Sequence, residues 1–358
     1  MNPAFWQGRR VLVTGHTGFK GSWLSLWLHD LGAVVRGFAL PPATDPNLFE
    51  ILDLESKIEH VVGDIRDLDS VVETIADFSP EIVLHLAAQP IVRLSYDEPV
   101  PTFATNVMGT AHVLEAVRSC PSVRGVVVVT TDKCYENREW VWGYREDDPM
   151  GGHDPYSASK GAAEIVTAAY RRSFFGSDDS ARVASARAGN VVGGGDWTTD
   201  RLVTDSVEAL SAGAPIIVRS PNATRPWQHV LEPLGGYLLL AERLGEGGDA
   251  YADGWNFGPV GAATVRHVID EIVGRWGDGA SWKLDDAANP HEAHLLKLDI
   301  SKADQLLGWR PRLDLDLTLD WLVDWYRAFY RGDTDMVAMT RSQIDAYQTL
   351  LAAPAATT

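Results

Sequence analysis

From Arg9 to Thr14 the chain reads Arg-Arg-Val-Leu-Val-Thr, a short apolar run that opens into a glycine-rich turn. Phe19–Leu31 then places Trp23, Leu24, Trp27, Leu28 and Leu31 at helical spacing, and Ala33–Leu40 returns to a strand pattern. The alternation continues with a strand over Lys57–Val62, a helix over Leu68–Phe78, a strand over Glu81–Leu86 and a long helix over Thr102–Cys120. Gly125–Thr131 is apolar at successive positions without alternation, the pattern of a parallel strand covered on both faces. Pro155–Phe175 predicts a further helix and Arg182–Arg187 a sixth strand. Strands alternating with helices in this way predict βαβ units that build a doubly wound parallel sheet.

Beyond residue 190 the pattern loosens. Gly193-Gly194-Gly195-Asp196-Trp197 reads as a flexible turn. After it come helices over Leu202–Ala212, Val230–Leu244, Thr264–Trp276 and Leu315–Tyr330, a short strand over Pro215–Val218, and a frayed end over Ala352–Thr358. The expectation is an α/β fold in two parts. Residues 1–190 form a cofactor-binding Rossmann-type domain. Residues 191–358 form a smaller, irregular α/β substrate domain, with some segments returning to the first.

Composition narrows the function classes. The 358 residues carry 31 Lys+Arg against 49 Asp+Glu, a formal charge of −18, so a broad nucleic-acid surface is excluded and any anionic ligand must be met by a local cationic patch. Two cysteines, Cys120 and Cys134, cannot build a disulfide framework and point to a reducing compartment. No apolar run is long enough to span a bilayer, and residues 1–8 lack the order of a signal peptide, so a soluble cytoplasmic protein is expected. No His/Cys/Asp cluster has metal-ligand spacing, and His85 and His112 read as packed or capping residues. Most tryptophans, such as Trp23, Trp27, Trp321 and Trp325, recur at helical spacing and read as core or interface.

Two spacings carry chemistry. Gly15, Gly18 and Gly21 stand between the first strand and the first helix, where glycines permit a tight turn, close approach of a pyrophosphate and close helix–sheet packing. Asp64, after the third strand, would accept a hydrogen bond from an adenine amino group or cap the following turn. Tyr156 and Lys160 form Tyr-x-x-x-Lys, which shares one helix face, and a cation beside a phenol lowers its pKa from about 10 toward neutrality. Tyr156 is thereby a candidate general base toward a sugar hydroxyl. Thr130-Thr131-Asp132-Lys133 closes the valine-rich strand at its carboxyl end, where ligands lie in open α/β sheets.

The Gly-x-x-Gly-x-x-Gly spacing resembles the extended short-chain dehydrogenase/reductase family. Its NAD-specific members end strand two with an acidic residue, whereas Ala39 stands at about that place here. Arg36 lies inside the strand and is poorly placed for a 2′-phosphate. Within the family, Thr131-Asp132 matches the sugar-nucleotide 4,6-dehydratases, and Lys133 in place of their glutamate is similar to the CDP-glucose 4,6-dehydratases. So are Gly18–Trp23, Ala87–Pro90, Arg187–Trp197 and Arg225–Pro233, the last two being the most specific.

The resemblance implies NAD as cofactor, held by Gly15, Thr17, Gly18, Phe19, Lys20, Gly21, Asp64, Ile65, Leu86, Ala87, Ala88 and Gln89 together with Tyr156 and Lys160. It implies CDP-glucose as substrate and CDP-4-keto-6-deoxyglucose as product, in deoxysugar synthesis of the O-antigen type. Hydride leaves C4 while Tyr156 takes the 4-hydroxyl proton and Thr131 polarises the oxygen. The ketone acidifies C5, water leaves from C6, and the hydride returns to C6. Asp132 fits the acid at O6 if burial raises its pKa. Lys133 is either the C5 base, which requires a neutral amine, or a cation that steadies the enolate.

For the diphosphate, Arg201, Arg219 and Arg225 offer charge in the second half, with Arg225 the foremost candidate. Asn190 and Arg93 complete the substrate set, and Ser95 and Tyr96 are further sugar contacts. In the family, helices matching Thr102–Cys120 and Pro155–Phe175 pair across a dimer, so a homodimer or dimer of dimers is expected. Two other readings stay open: another sugar-nucleotide dehydratase or epimerase, and a non-catalytic NAD-binding regulator.

Overall fold

The computed structural model describes residues 1–177, 180–285 and 295–353. Seven parallel strands form the central sheet: β1 (Arg10–Thr14), β2 (Val34–Ala39), β3 (Glu59–Val62), β4 (Ile82–His85), β5 (Gly125–Val129), β6 (Arg182–Ala188) and β7 (Gly254–Phe257). Their order is β3-β2-β1-β4-β5-β6-β7, so the chain runs outward from β1, then returns to β4 and runs the other way. The crevice opens at this reversal, beyond the carboxyl ends of β1 and β4.

Side chains alternate across the strands and feed two cores. Val11, Val13, Ile82, Leu84, Val127 and Val129 face one layer. Leu12, Val83, Val126 and Val128 face the other. The first layer holds α1 (Phe19–Asp30), with Trp23 and Trp27 fully buried. The second holds α2 (Leu68–Phe78) and α3 (Gly109–Arg118), with α4 (Pro155–Phe174) packed beside α3. The segment expected as one helix from Thr102 begins instead at Pro99, where proline suits a first turn, and passes through a π-turn over Ala104–Met108 before α3.

The later chain is built on short strand pairs. Val191–Val192 pairs with Gln228–His229, Ile216–Val218 with Trp282–Leu284, and Thr224–Arg225 with Ala263–Thr264. Helix α5 (Leu231–Gly245) packs on the central sheet, and β7 extends that sheet beside β6, so the chain re-enters the first layer after residue 190. Helices α6 (Val265–Trp276), α7 (Leu315–Arg331) and α8 (Met336–Ala352) close the lower half. Helix α8 returns to α1: Tyr347 stacks edge-on against Trp27, and Arg341 grips Asp30 at 2.8 and 2.9 Å. Residues 354–358 of the expected frayed end lie outside the described residues.

The glycine run at 193–195 is pinned rather than flexible. A Cβ on Gly194 would stand 2.1 Å from the Trp325 ring. Trp23 donates to the Gly194 carbonyl at 2.9 Å, and the Tyr326 hydroxyl bonds both backbone groups of Asp196. Three aromatic side chains from α1 and α7 thus hold a turn whose own residues carry no stiffness.

Candidate active site

The glycine turn is shaped by contacts that only glycine permits. Gly15 has φ +77°, and a Cβ there would lie 2.7 Å from the Ala87 nitrogen; on Gly21 it would lie 2.1 Å from the Gly15 carbonyl oxygen. Helix α1 therefore starts tight against the turn, with Gly18 as its cap and no side chain covering its amino end. Open N–H groups beside a close backbone surface form a cradle that fits the pyrophosphate of a dinucleotide. Thr17 closes the turn by donating to the Leu40 carbonyl at 2.9 Å. Across the crevice, Ala87 N–H donates to Thr14 and Gln89 N–H to Asn106 Oδ1 at 2.8 Å, which fixes the segment from Leu86 through Ala88 to Gln89.

At the adenine side, Asp64 is gripped by the Arg66 guanidinium, which holds its carboxyl below the usual range. Ile65 beside it is buried. Arg36 points away from the crevice, bridging Glu59 and Asp77 at 2.5 and 2.7 Å.

The reacting end is assembled where β5 meets α4. Asp154 caps α4 by accepting from Ser157 N–H at 2.8 Å, and Ser95 receives the Tyr156 N–H at 3.1 Å. Ser95 is fully buried and donates its hydroxyl to the Val92 carbonyl at 2.6 Å; Tyr96 is more than half exposed. Lys160, one turn after Tyr156, donates to the Val129 carbonyl at 3.2 Å. Burial pushes the Lys160 amine down to about 8, opposed by the charge of Glu164. Burial likewise pushes the Tyr156 phenol up to about 12, opposed by a hydrogen bond from Thr131 and the charge of Arg201. The expected lowering of the phenol by Lys160 is thus overturned in the protein alone. Desolvation sets the direction, and the Lys160 ammonium is engaged with the Val129 carbonyl.

Asp132 is buried, the condition set for it in the sequence reading. Its carboxyl is 2 % exposed, and burial raises its pKa against the opposing charge of Lys133. Thr131 donates to Asp132 Oδ1 at 3.1 Å, while Oδ2 is buried with no partner. A Cβ on Gly189 would come within 3.0 Å of that free oxygen, so a glycine keeps the space beside it. Lys133 is half-buried beside this pair, its N–H donating to Thr131 at 3.4 Å.

Lys20, read as a cofactor contact, turns its ammonium toward this same end. Burial lowers it to about 7, with Arg201 and Lys160 lowering it further and Asp132 and Asp196 opposing. Arg93 and Arg219 converge on Asp200 at 3.6 and 3.3 Å, while Arg201 pairs with Asp196 at 2.6 Å. Arg225 stands apart from them, buried and in the field of Asp132. Asn190 accepts the Gln228 N–H through its carbonyl at 3.0 Å.

Two groups essential to this geometry escaped the sequence reading. Asn106, on the π-turn, donates to Ser159 at 2.8 Å and to the Gln89 carbonyl, tying α4 to the crevice wall. Glu164, one turn beyond Lys160, is buried in an ion pair with Arg187 at 2.9 Å and receives hydroxyls from Thr130 and Ser185. The i, i+4 step from Lys160 to Glu164 was visible as a spacing; the pairing with β6 was not. Among the described residues, no cluster of three or more His, Cys, Asp or Glu side chains could hold a metal ion, and no helix is long and apolar enough to cross a membrane.

Comparison with known proteins places this geometry. A family model described as GDP-mannose 4,6 dehydratase matches residues 12–320. A CDP-glucose 4,6-dehydratase of Salmonella typhimurium is 54% identical over 349 residues, covering 96% of this chain and 97% of that protein. A UDP-glucose 4-epimerase of Mycolicibacterium smegmatis is 30% identical over 327 residues, covering 89% of this chain and 98% of that protein. Among solved structures, the Thermus thermophilus UDP-glucose 4-epimerase in complex with NAD is similar at a TM-score of 0.77 and 25% identity, covering 91% of this chain and all of that one.

Proposed function

Because the chain belongs to the family described as GDP-mannose 4,6 dehydratase, within the extended short-chain dehydrogenases/reductases, we propose that it is an NAD-dependent hydro-lyase that converts CDP-glucose to CDP-4-keto-6-deoxyglucose and water. The observation that carries this reading is Asp132. It is a buried carboxyl with one oxygen free, beside Tyr156 and Thr131. Reversible oxidation at C4, as in an epimerase, needs no acid at O6; loss of water does. The near-full-length likeness to a CDP-glucose enzyme names the nucleotide.

When bound, NAD would supply the hydride acceptor and donor between C4 and C6. The turn from Gly15 to Gly21 and the amino end of α1 would hold its pyrophosphate, with Asp64 and Ile65 toward the adenine. Tyr156 Oη, as a phenolate steadied by the Lys160 cation, takes the O4 proton. Thr131 orients O4. Asp132 gives a proton to the departing O6, for which its raised pKa suits it. We assign Lys133 to C5, as base or as the cation that steadies the enolate. Arg93, Arg201, Arg219 and Arg225, with Asn190, hold the nucleotide sugar. We take the enzyme to be cytoplasmic, a homodimer or dimer of dimers joined through the outer faces of α3 and α4, where Ile165 and Phe174 are exposed. Its product would feed deoxysugar synthesis.

The test is a panel of CDP-, UDP- and dTDP-glucose with NAD, read by the alkali-induced absorbance of a 4-keto sugar. CDP-glucose should be the preferred substrate. No product from CDP-glucose, with turnover of another member of the panel, would overturn the nucleotide assignment.

A further inference from the structure

Oxidation at C4 and loss of water across C5 and C6 fall to groups on different elements. Tyr156 and Lys160 ride on α4, whereas Asp132 and Lys133 ride on the single turn over Asp132–Cys134 that follows β5. One sugar must meet both sets, so the turn has to be held in register with the helix to within about 0.5 Å. A turn of three residues has no stiffness of its own, and what holds it lies at its two flanks. Before it, the Thr130 hydroxyl donates to Glu164 Oε1. After it, the Tyr135 hydroxyl accepts from Arg187 Nη1 at 2.7 Å, which leaves its own proton for Asn256 Oδ1 on β7, also at 2.7 Å. Arg187 Nη2 in turn donates to Glu164 Oε2 at 2.9 Å, and Ser185 donates to the same oxygen at 2.6 Å.

We propose that Glu164 is a positioning residue that sets the elimination groups, Asp132 and Lys133, against the oxidation groups, Tyr156 and Lys160, by rooting both flanks of the turn on the catalytic helix. Both flanks lead to this one carboxylate, and it stands on α4 one turn after Lys160. An ion pair that served the fold alone would be satisfied by Arg187. Glu164 instead divides its oxygens between the two sides of the turn, Oε1 to Thr130 before it and Oε2 through Arg187 to Tyr135 after it.

The helix and the turn also meet directly: a Cβ on Gly161, next to Lys160, would stand 3.2 Å from the Cys134 carbonyl oxygen. Thr130, Tyr135, Glu164 and Arg187 are all buried, which keeps the linkage out of competition with water. Burial works to raise the Glu164 carboxyl, but the Arg187 charge and three donated hydrogen bonds hold it below its usual range, so the anchor stays charged. The two flanks hold different things. Thr130 precedes Thr131, which orients O4, whereas Tyr135 closes the far side, behind Lys133 at C5. Loss of the far anchor therefore strikes elimination and spares oxidation.

This inference rests on the dehydratase reading and concerns how its two half-reactions are kept in register. The experiment follows NADH absorbance and 4-keto-6-deoxy product during one turnover of CDP-glucose by NAD-loaded enzyme, in the parent, Tyr135→Phe and Glu164→Gln. Tyr135→Phe keeps the ring that stacks on Tyr144 and removes only the hydroxyl. It should form NADH at the parent rate and accumulate it, with product slowed on the order of 10²-fold, the cost of misplacing a reacting group by about 1 Å. Glu164→Gln, which loosens both flanks, should slow both signals. Tyr135→Phe decides the matter if Glu164→Gln does not fold. Equal slowing of NADH and product in Tyr135→Phe, as a general loosening of the fold would give, would overturn the proposal, and so would unchanged product formation. Absence of both signals in the parent would count instead against the dehydratase reading.

Discussion

The two ends of the cleft solve opposite electrostatic problems. At the reacting end, between β5 and α4, burial sets the chemistry: Asp132 and Tyr156 are pushed up, and Lys160 is pushed down to about 8. At the rim, Arg93 and Arg219 pair with Asp200, and Arg201 pairs with Asp196. The first end holds groups ready to trade protons. The second holds cations in place for a diphosphate, with an acidic chain supplying the counter-charge in its absence.

The largest effect that would break this contrast comes from Asp132→Asn. Dehydration should fall on the order of 10²- to 10⁴-fold, the usual range for a lost general acid. Oxidation at C4 should continue, so NADH absorbance accumulates when CDP-glucose is added. Loss of both together would place Asp132 in the first step. Lys133→Met should likewise stall elimination after C4 oxidation.

At the rim, Arg219→Ala should raise KM for CDP-glucose roughly 10- to 100-fold with kcat little changed, the worth of a charge-assisted hydrogen bond to phosphate. Asp200→Asn should move the other way, lowering KM by about 2- to 5-fold, because the exposed ion pairs it ends are worth only ~0.2–1 kcal/mol. Steady-state kinetics on the two variants read both. A rise in KM with Asp200→Asn would show that the acid positions the arginines rather than competing for them.

The smallest effect lies outside the cleft. Glu232 accepts the N–H groups of Arg312 and Leu313 and the Tyr347 hydroxyl, and burial raises its pKa from the ordinary 4.5 to about 7. Between those values the folded chain holds a proton that the unfolded chain releases, so this contribution is present below about 4.5 and is lost as pH rises through about 7. The Tm of Glu232→Gln relative to the parent should therefore climb as pH rises from about 5 to about 8. A constant difference would mean that Glu232 stays charged in the folded chain.

The same contrast explains what the sequence made legible. The sheet was readable because each strand is a local apolar run, and β5 announces its double burial in four successive valines. Tyr156 and Lys160 were readable because one helix fixes their spacing. Their working environment was not, since the burial that raises Tyr156 to about 12 comes from segments far apart in the chain. The duties of Asn106 and Glu164 were hidden for the same reason: Glu164 meets Arg187 across 23 residues, and Asn106 meets Ser159 across 53. At the rim, four arginines stood out as charges, but their division was not legible. Arg93 and Arg219 share Asp200, Arg201 takes Asp196, and Arg225 donates to the Thr224 carbonyl. Helix α8 was missed because its contact with α1 joins the chain's two ends, and β7 because a four-residue strand is set by its neighbour β6 rather than by its own pattern.

The central claim is that one cleft removes a hydride from C4 and returns the same hydride to C6. It is tested most directly with CDP-glucose carrying deuterium at C4, incubated with the enzyme and unlabelled NAD, the methyl group of the product then being examined by NMR. The account expects the deuterium in the C6 methyl group of the molecule that carried it, even when labelled and unlabelled substrates are mixed with a second isotopic marker in the ring. Deuterium absent from the methyl group, or scrambled between molecules, would contradict it.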